Sequence, residues 1–189
     1  MPTKTKISGI EFLSYVCNAS GAQDTTYEEL EAIAKSGSAA IVMKTCTIEP
    51  RLGNPQPRCT HTPLGLIQSM GWPNLGYKKY LAFAAKLKKK YDKPIIASIG
   101  GFSDKDYRQM TSAFQKSAVD LIEISLSCPN LDDHPQVGYD FKATDALLAQ
   151  LVALGPKPLG LKLPAYLDSV LQEKMAKIIK NIRFLLSPA

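Results

Sequence analysis

The sequence contains no run of about 18 consecutive apolar residues, the length that a membrane-spanning helix requires. Its start, Met-Pro-Thr-Lys-Thr-Lys, leads into Ile7 and a strand-like segment rather than into the apolar core of a signal peptide. We therefore expect a cytoplasmic protein with no membrane partner.

Cysteine is scarce, and the cysteines are not spaced as in a metal site or a disulfide scaffold. The four cysteines (Cys17, Cys46, Cys59 and Cys128) lie far apart and form no CxxC pair. That spacing is not typical of zinc sites, and four thiols are too few for a disulfide scaffold in 189 residues. We expect reduced thiols and no metal site.

Acidic residues are fewer than basic ones, which gives a net charge of +6. A cluster of lysines falls on one predicted helix, between Lys78 and Lys93. Because no aromatic stacking platform accompanies the cluster, we interpret it as a solvated helix face and expect no nucleic-acid partner. The 45% hydrophobic content is ordinary for a globular chain, and residues 1–189 fit a single domain.

Strand-like and helical patterns alternate along most of the chain. The predicted elements are one or two strands in 6–18, a helix over 26–35, a strand over 39–44, a helix over 75–91, a strand over 94–98, a helix over 103–117, a strand from 120, a helix over 143–154, a strand over 158–163 and a last helix from about 167. This order predicts a parallel sheet with crossover helices. It fits either a doubly wound sheet or a (β/α)8 barrel, which needs eight units and about 250 residues. Roughly five units are present.

Two segments break the pattern. Residues 45–65 contain four prolines and no helical period, so we predict a long functional loop. Residues 177–189 do not fit the strand that should come next, and we interpret the chain as the beginning of a longer barrel.

Three predicted strand ends carry a lysine or a thiol: Met43-Lys44-Thr45, Ser127-Cys128-Pro129 and Gly160-Leu-Lys-Leu-Pro164. The carboxyl ends of parallel strands meet at one edge, so we expect these groups to face a common mouth. A buried lysine needs a compensating partner, and a bound anion or an electron-rich ring would serve. Taken singly, each lysine could instead reach solvent, and the cysteine could be inert packing.

Several correctly spaced motifs resemble class 1A dihydroorotate dehydrogenases, the soluble, fumarate-reducing branch of that family. The motifs are Asn54-Pro-Gln-Pro-Arg58, Ser69-Met-Gly-Trp-Pro-Asn-Leu-Gly76, Ser127-Cys-Pro-Asn130, Tyr139-Asp-Phe141 and Pro158-Leu-Gly-Leu-Lys-Leu-Pro-Ala-Tyr166. The resemblance extends from about residue 6 to residue 176. It implies an α/β fold of the (β/α)8 TIM-barrel type, incomplete here, with about the first five strand-helix units.

The resemblance also implies a function. The family oxidises dihydroorotate to orotate in pyrimidine biosynthesis, uses FMN, passes electrons to fumarate in this branch and forms homodimers. One substrate carbon loses a proton to a base while its neighbour passes a hydride to FMN. The resemblance places the base at Cys128, and a thiol with a reference pKa of about 8.5 supplies some thiolate at neutral pH.

The remaining site residues are implied in the same way. The expected FMN contacts are Ala19, Ser20, Gly21, Lys44, Thr45, Ser125 and Lys162. The expected substrate contacts are Lys44, Gln68, Met70, Gly71, Trp72 and Asn130. In this arrangement, the Met70 and Gly71 backbone holds the substrate carboxylate, as exposed amides can.

Three of these positions depart from the family pattern. Gln68 and Ser125 stand where asparagines usually bind the substrate ring, and Trp72 stands where leucine is usual. An unpaired polar group in a closed pocket costs about 1–3 kcal/mol. We therefore hypothesise that this branch prefers a related, altered substrate.

Two further alternatives remain open at this point. An inactive barrel fragment would lack the loops after the seventh and eighth strands that hold phosphate in such barrels, and we expect this chain alone to bind FMN weakly or not at all. A lysine Schiff-base lyase could use Lys44 or Lys162, but it would give Cys128 and the Ser69 to Gly76 motif no role.

Overall fold

The computed structural model describes residues 4–127, 137–180 and 184–188, the last range by its backbone alone. The described strands are β1 (Thr5–Ile7), β2 (Ile10–Phe12), β3 (Ile41–Val42), β4 (Cys59–Thr62), β5 (Gly65–Gln68), β6 (Ile95–Ile99), β7 (Leu121–Ser125), β8 (Leu159–Leu163) and β9 (Phe184–Pro188). The described helices are α1 (Tyr27–Lys35), α2 (Tyr77–Lys90), α3 (Asp104–Gln115), α4 (Phe141–Val152) and α5 (Ser169–Ile179), with a 3-10 turn at Val137–Tyr139 before α4.

The central sheet has the order β3-β6-β7-β8-β9, and all of its neighbouring strands are parallel. Spatial order follows chain order without the reversal that defines a doubly wound sheet. All five described helices pack on the same face of the sheet. This is the winding of a (β/α)8 barrel, so the prediction of a barrel with about five strand-helix units is confirmed.

Strand alternation separates the two faces of this sheet, because successive side chains of a strand point to opposite sides. The outer face packs against the helices with fully or almost fully buried apolar residues: Ile41, Met43, Ile95, Ala97, Ile99, Ile122, Ile124, Leu159 and Leu161. The inner face is apolar only towards the amino ends of its strands. There Val42, Ile96 and Leu121 pack against the β1–β2 hairpin through Phe12.

Local capping explains where the helices begin. The Thr26 hydroxyl accepts from the Glu29 N–H, and the Glu29 carboxylate accepts from the Thr26 N–H, which confirms the predicted capping box of α1. The predicted Ser103 cap of α3 is also present. Helix α4 begins two residues before its predicted start, because the Asp140 carboxylate caps it by accepting from the Ala143 N–H.

Two sequence predictions about irregular segments were wrong. The predicted loop contains one strand of a hairpin, β4–β5, whose residues are mostly exposed, so it has no buried face to impose an apolar alternation. Residues 177–189 were expected not to form the next strand, yet β9 pairs in parallel with β8. The free edge of β8 supplies the hydrogen-bonding partners for this pairing, and the local sequence gives little sign of it.

Candidate active site at the carboxyl ends of the strands

A bulge after β3 turns two consecutive polar side chains towards the inside of the barrel. Val42 pairs with Ile96 and Cys46 pairs with Ile99. The chain therefore advances four residues after β3 while β6 advances three, which means that one extra residue is inserted. Met43 and Cys46 lie in the outer core, which leaves both Lys44 and Thr45 on the inner side. An extra residue of this kind re-aims side chains beside functional sites.

A chain of hydroxyl groups runs inward from this bulge to a buried carboxylate. The Ser20 and Thr45 hydroxyl oxygens are 2.7 Å apart, those of Thr45 and Ser98 are 2.8 Å apart, and Ser98 donates to Glu123 Oε1 over 2.7 Å. Since Ser98 gives its only proton to Glu123, it must accept from Thr45, which in turn accepts from Ser20. The Glu123 carboxylate therefore fixes the direction of every hydrogen bond in this chain.

The turn that contains Ser20 is attached to the exposed edge of β3. The side-chain amide of Asn18 donates to the Val42 carbonyl over 2.7 Å and accepts from the Val42 N–H over 3.0 Å. Asn18 thus occupies backbone groups that would otherwise be an unpaired sheet edge. This pairing brings the predicted flavin-contacting residues Ala19, Ser20 and Gly21 beside Lys44 and Thr45.

Lys44 lies in a compact group with Gly21 and Asp24. Its ammonium donates to the Gly21 carbonyl, and its Nζ is 3.9 Å from Asp24 Oδ1. The Gly21 N–H donates to Asp24 Oδ2 over 2.9 Å. Burial raises the pKa of the Asp24 carboxyl to about 7, and the Lys44 charge partly opposes that rise.

Lys162 faces the same interior from β8. It is in register with Ser125 of β7, and its neighbour Leu161 belongs to the outer core. The charge of Lys162 also lowers the pKa of Asp24, as that of Lys44 does, and both act against the larger effect of burial. The Ser125 hydroxyl is buried and donates to the Ser127 carbonyl over 3.3 Å. The predicted common mouth for Lys44 and Lys162 agrees with this geometry, while their ligand contacts stay predictions.

The predicted substrate loop is folded back on itself at Gln68. The Gln68 side-chain oxygen accepts from the Met70 N–H over 3.1 Å, so the amide expected to hold a substrate carboxylate is already bonded. Gly71 has a φ of 69°, and a Cβ there would lie 2.1 Å from Asn54 Oδ1. Only glycine fits this turn without displacing Asn54.

Trp72 covers the carboxyl end of β6. Its φ is 56°, a left-handed conformation that is unusual for a residue with a side chain. The indole lies on Gly100, where a Cβ would be 2.4 Å from the ring, and its centroid is 5.9 Å from that of Phe102. Asn74 fixes this loop by donating to the Trp72 carbonyl and accepting from the Thr47 N–H.

Two predicted site residues, the base Cys128 and the substrate ligand Asn130, lie outside the described residues. Two of the described thiols are poor bases. Burial raises the pKa of Cys46, and burial followed by the charge of Glu123 raises that of Cys17. The assignment of the base to Cys128 rests on the resemblance and stays a prediction.

No role was predicted from the sequence for four of the buried polar residues, Asp24, Asn74, Ser98 and Glu123, although Asn74 lies in the Ser69–Gly76 motif. Ser98 and Glu123 interrupt otherwise apolar strands, and a polar residue at a buried strand position is the signal that could have identified them. Asp24 and Asn74 lie in loops that precede helices α1 and α2. Their burial follows from tertiary contacts alone.

A cavity of about 330 Å³ lies on the inner face between the β1–β2 hairpin and the strands, and Glu123 lines it. Among the described residues, no group of three or more His, Cys, Asp or Glu could hold a metal ion. No helix in the described part of the chain has both the length and the apolar character needed to cross a membrane.

A singly wound parallel sheet with charged and hydroxyl groups at the carboxyl ends of its strands is the arrangement of (β/α)8-barrel enzymes. The family model for dihydroorotate dehydrogenase matches residues 3–186. The chain belongs to the dihydroorotate dehydrogenase family.

Named relatives agree with this assignment. A probable dihydroorotate dehydrogenase A (fumarate) of Streptococcus pneumoniae is 42% identical over 181 residues, which cover 95% of this chain and 58% of the relative. Dihydroorotate dehydrogenase A (fumarate) of Lactococcus lactis is 41% identical over 181 residues, 94% of this chain and 58% of the relative. The chain therefore spans a little over half the length of these relatives.

A solved structure supports the fold. The crystal structure of a ligand-free type dihydroorotate dehydrogenase from Eimeria tenella superimposes with a TM-score of 0.82 at 18% identity. The match covers 96% of this chain and 59% of that chain.

Proposed function

We propose that the protein to which this chain belongs oxidises dihydroorotate to orotate with FMN as cofactor and fumarate as electron acceptor. It would act in cytoplasmic pyrimidine biosynthesis as a homodimer. The observation that carries the proposal is the convergence of Lys44, Lys162 and the Ser20–Thr45 hydroxyl pair on one inner face, in a chain of the dihydroorotate dehydrogenase family.

The donor set at the mouth fits a flavin ring. FMN, when bound, supplies a ring that accepts a hydride. The ammonium groups of Lys44 and Lys162 favour the negative charge that such a ring gains on reduction. The hydroxyl oxygens of Ser20 and Thr45 lie beside Lys44, and because both protons are donated within the hydroxyl chain, these oxygens can only accept from an N–H of the ring.

Proton removal from the substrate is assigned to Cys128. The thiolate is the basic form of this group, so catalytic turnover should rise with pH through the thiol titration, around a reference pKa of about 8.5. Cys128→Ser raises the pKa of the base far above neutrality. We expect this variant to lose most of its turnover at neutral pH and to keep its flavin affinity.

Binding and turnover together test the proposal. FMN is titrated into the 189-residue chain, and quenching of Trp72, the only tryptophan, reports flavin at the mouth. Dihydroorotate oxidation with fumarate is then measured in the same samples. The proposal requires that Lys44→Met and Lys162→Met weaken both, whereas Lys78→Met on the exposed surface of α2 should change neither. The alternative of an inactive barrel fragment requires instead that the native chain binds FMN weakly or not at all.

The outcomes of this experiment separate the candidate functions. Flavin binding with turnover that is sensitive to both site lysines supports the proposal. Failure to bind FMN or to turn over dihydroorotate contradicts it for this chain and favours a barrel segment without its own activity. Borohydride trapping of a substrate carbon on Lys44 or Lys162 would favour a Schiff-base enzyme.

An oxidoreductase with an altered substrate is the second candidate, and the loop geometry favours it. The Gln68 side chain bonds to its own loop, Ser125 donates to Ser127, and Trp72 fills space over Gly100. Positions 68 and 125 therefore do not present two unbonded side-chain amides to a pyrimidine ring. The double variant Gln68→Asn/Ser125→Asn should strengthen orotate binding by about tenfold or more, since each restored hydrogen bond is worth about 1 kcal/mol. An unchanged or weaker orotate affinity would contradict this reading.

A further inference from the structure

A buried carboxyl group lies directly behind the Lys44 ammonium. The Asp24 carbonyl accepts from the Lys44 backbone N–H over 3.2 Å, and Asp24 Oδ1 is 3.9 Å from Lys44 Nζ. Asp24 Oδ2 accepts from the Gly21 N–H, while the Gly21 carbonyl accepts from Lys44 Nζ. These contacts form a closed ring of three residues, so moving Asp24 also moves Lys44.

The Asp24 carboxyl group is poorly solvated in this ring. The residue is 1% exposed, and Oδ1 accepts no hydrogen bond from any described residue. An ionised carboxylate in such a position is costly unless a nearby charge compensates it. Burial outweighs the Lys44 charge and raises the pKa of Asp24 to about 7, so the group changes charge near neutral pH.

The other charged and titratable groups around Asp24 come from three elements. Lys162 on β8 lowers its pKa, and Glu29 on α1 raises it, both with less effect than Lys44. Tyr80 on α2 donates its hydroxyl to the Thr25 carbonyl, and burial raises the pKa of Tyr80 well above its ordinary value. Tyr80 is therefore neutral at neutral pH, and Lys44 is the dominant partner of Asp24.

We propose that Asp24 is a positioning residue for Lys44, which holds the ammonium against the Gly21 carbonyl and sets the net charge of the Asp24–Lys44 pair at the mouth. With Asp24 protonated, the Asp24–Lys44 pair is positively charged. With Asp24 ionised, the two charges compensate each other. A negatively charged ligand at this mouth is then bound more tightly below neutral pH than above it. This consequence for FMN or orotate rests on the proposed function, whereas the Asp24–Lys44 coupling does not.

Competitive labelling of lysines in the ligand-free chain tests the coupling. Trace acetic anhydride is applied from about pH 5.5 to about pH 9, and mass spectrometry compares Lys44 with Lys105, an exposed lysine of α3. An ionised neighbour keeps the proton on the amine. In the native chain, we expect the labelling of Lys44 relative to Lys105 to fall as Asp24 ionises.

The isosteric variant Asp24→Asn removes the charge and keeps an acceptor for Gly21. Above neutral pH its Lys44 should label about tenfold faster or more than in the native chain, because an opposite charge within about 4–6 Å shifts a pKa by about 1–3 units. Below about pH 6 the two chains should label alike. Expressing each profile relative to its value at low pH removes differences in accessibility.

Glu31→Gln is the control variant. It removes the partner of Lys35 and Lys90 on the exposed side of α1 and should leave the Lys44 profile unchanged. Identical Lys44 profiles in the native chain and in Asp24→Asn would overturn the proposal. If Asp24→Asn does not fold by circular dichroism, the native profile decides, and a profile without a step near neutral pH also overturns it.

A second measurement separates this inference from the proposed function. FMN and orotate are titrated at about pH 6 and about pH 8, with Trp72 fluorescence as the signal. Weaker orotate binding at the higher pH in the native chain, together with a smaller pH effect on orotate binding in Asp24→Asn, supports both ideas. A fall in the relative labelling of Lys44 near neutral pH, in a chain that binds neither ligand, supports the Asp24–Lys44 coupling and counts against the proposed function.

Discussion

The two faces of the central sheet differ although the same strands form them. The outer face is continuously apolar and is covered by the helices. The inner face is apolar at the amino ends of its strands and polar at their carboxyl ends, where Lys44, Ser98, Glu123 and Lys162 lie. Stability is therefore concentrated on the outer face, and groups able to do chemistry are concentrated at one end of the inner face.

Polar groups on the inner face are retained because they satisfy one another. The hydroxyl chain ends on the Glu123 carboxylate, and the Lys44 ammonium donates to the Gly21 carbonyl. The exception is Asp24, whose buried Oδ1 accepts no hydrogen bond from a described residue. Such networks are stable when complete and costly when one member is lost. Loss of a residue should therefore have a different consequence on each face.

The largest expected effect is a cavity in the outer face. Ile122 is fully buried there, and Ile122→Ala should lower the free energy of unfolding by about 2–5 kcal/mol. Urea denaturation measures the change. The same substitution at Ile67 on β5, which is 66% exposed, should change stability by no more than about 0.5 kcal/mol. Equal losses at both sites would remove the distinction between core and hairpin.

The next effect depends on pH and comes from the carboxyl end of the inner face. The folded-state pKa of Asp24 is about 7, above its ordinary value of 3.8, so its stability contribution is complete below about pH 4 and is lost as the pH rises to 7. Asp24→Asn removes this dependence. It should be more stable than the native chain above pH 7, by an amount on the order of 4 kcal/mol at most.

Thermal unfolding between about pH 4 and about pH 8 checks this prediction. The stability difference between the two chains should grow with pH across that interval. A native chain whose stability is constant with pH, or a variant that is less stable than the native chain at high pH, would show that burial does not dominate the pKa of the Asp24 carboxyl group.

A matched pair of substitutions compares a satisfied hydroxyl with an unsatisfied one. Thr45→Val on the inner face breaks the hydroxyl chain and should cost about 1–3 kcal/mol, because Ser98 and Ser20 lose their partner. Thr111 on α3 is buried, and its hydroxyl has no hydrogen-bond partner among the described residues. Thr111→Val should therefore be neutral or stabilising. Urea midpoints of the two variants provide the comparison, and similar losses would contradict it.

The smallest effect belongs to neither face. Thr26→Ala removes one side of the capping box of α1 and should cost about 1 kcal/mol. Ser169→Ala, at the first helical position of α5, leaves the Asp168 cap of that helix intact and serves as the control. A melting temperature for Thr26→Ala as low as that of Ile122→Ala would mean that the cap supports far more than its own helix.

Prediction from sequence succeeded where the determinants are local. The Thr26 and Ser103 caps, the buried strands β6, β7 and β8, and the placement of Lys44 and Lys162 at strand ends follow from neighbouring residues. It failed for a hairpin whose residues are mostly exposed and for a strand whose partner is distant in the chain. The exposed β4–β5 hairpin and the pairing of β9 with β8 give no clear periodic signal.

The candidate site shows the same division. The chain positions of the two lysines and of the 19–21 turn were predicted from motifs, but the burial of Asp24 and the role of Glu123 were not. The reason is that Asp24 meets Lys44 across 20 residues and Ser98 meets Glu123 across 25. No local pattern encodes those encounters.

The sequence by itself determined the alternation of strands and helices, the helix starts and the identity of the groups at each strand end, because these depend on side chains close together in the chain. Only the tertiary structure decided the single winding of the sheet and the bulge that turns both Lys44 and Thr45 inward. It also decided the burial of Asp24 behind Lys44. These features depend on strand register and on burial, and both are set by contacts between residues far apart in the chain.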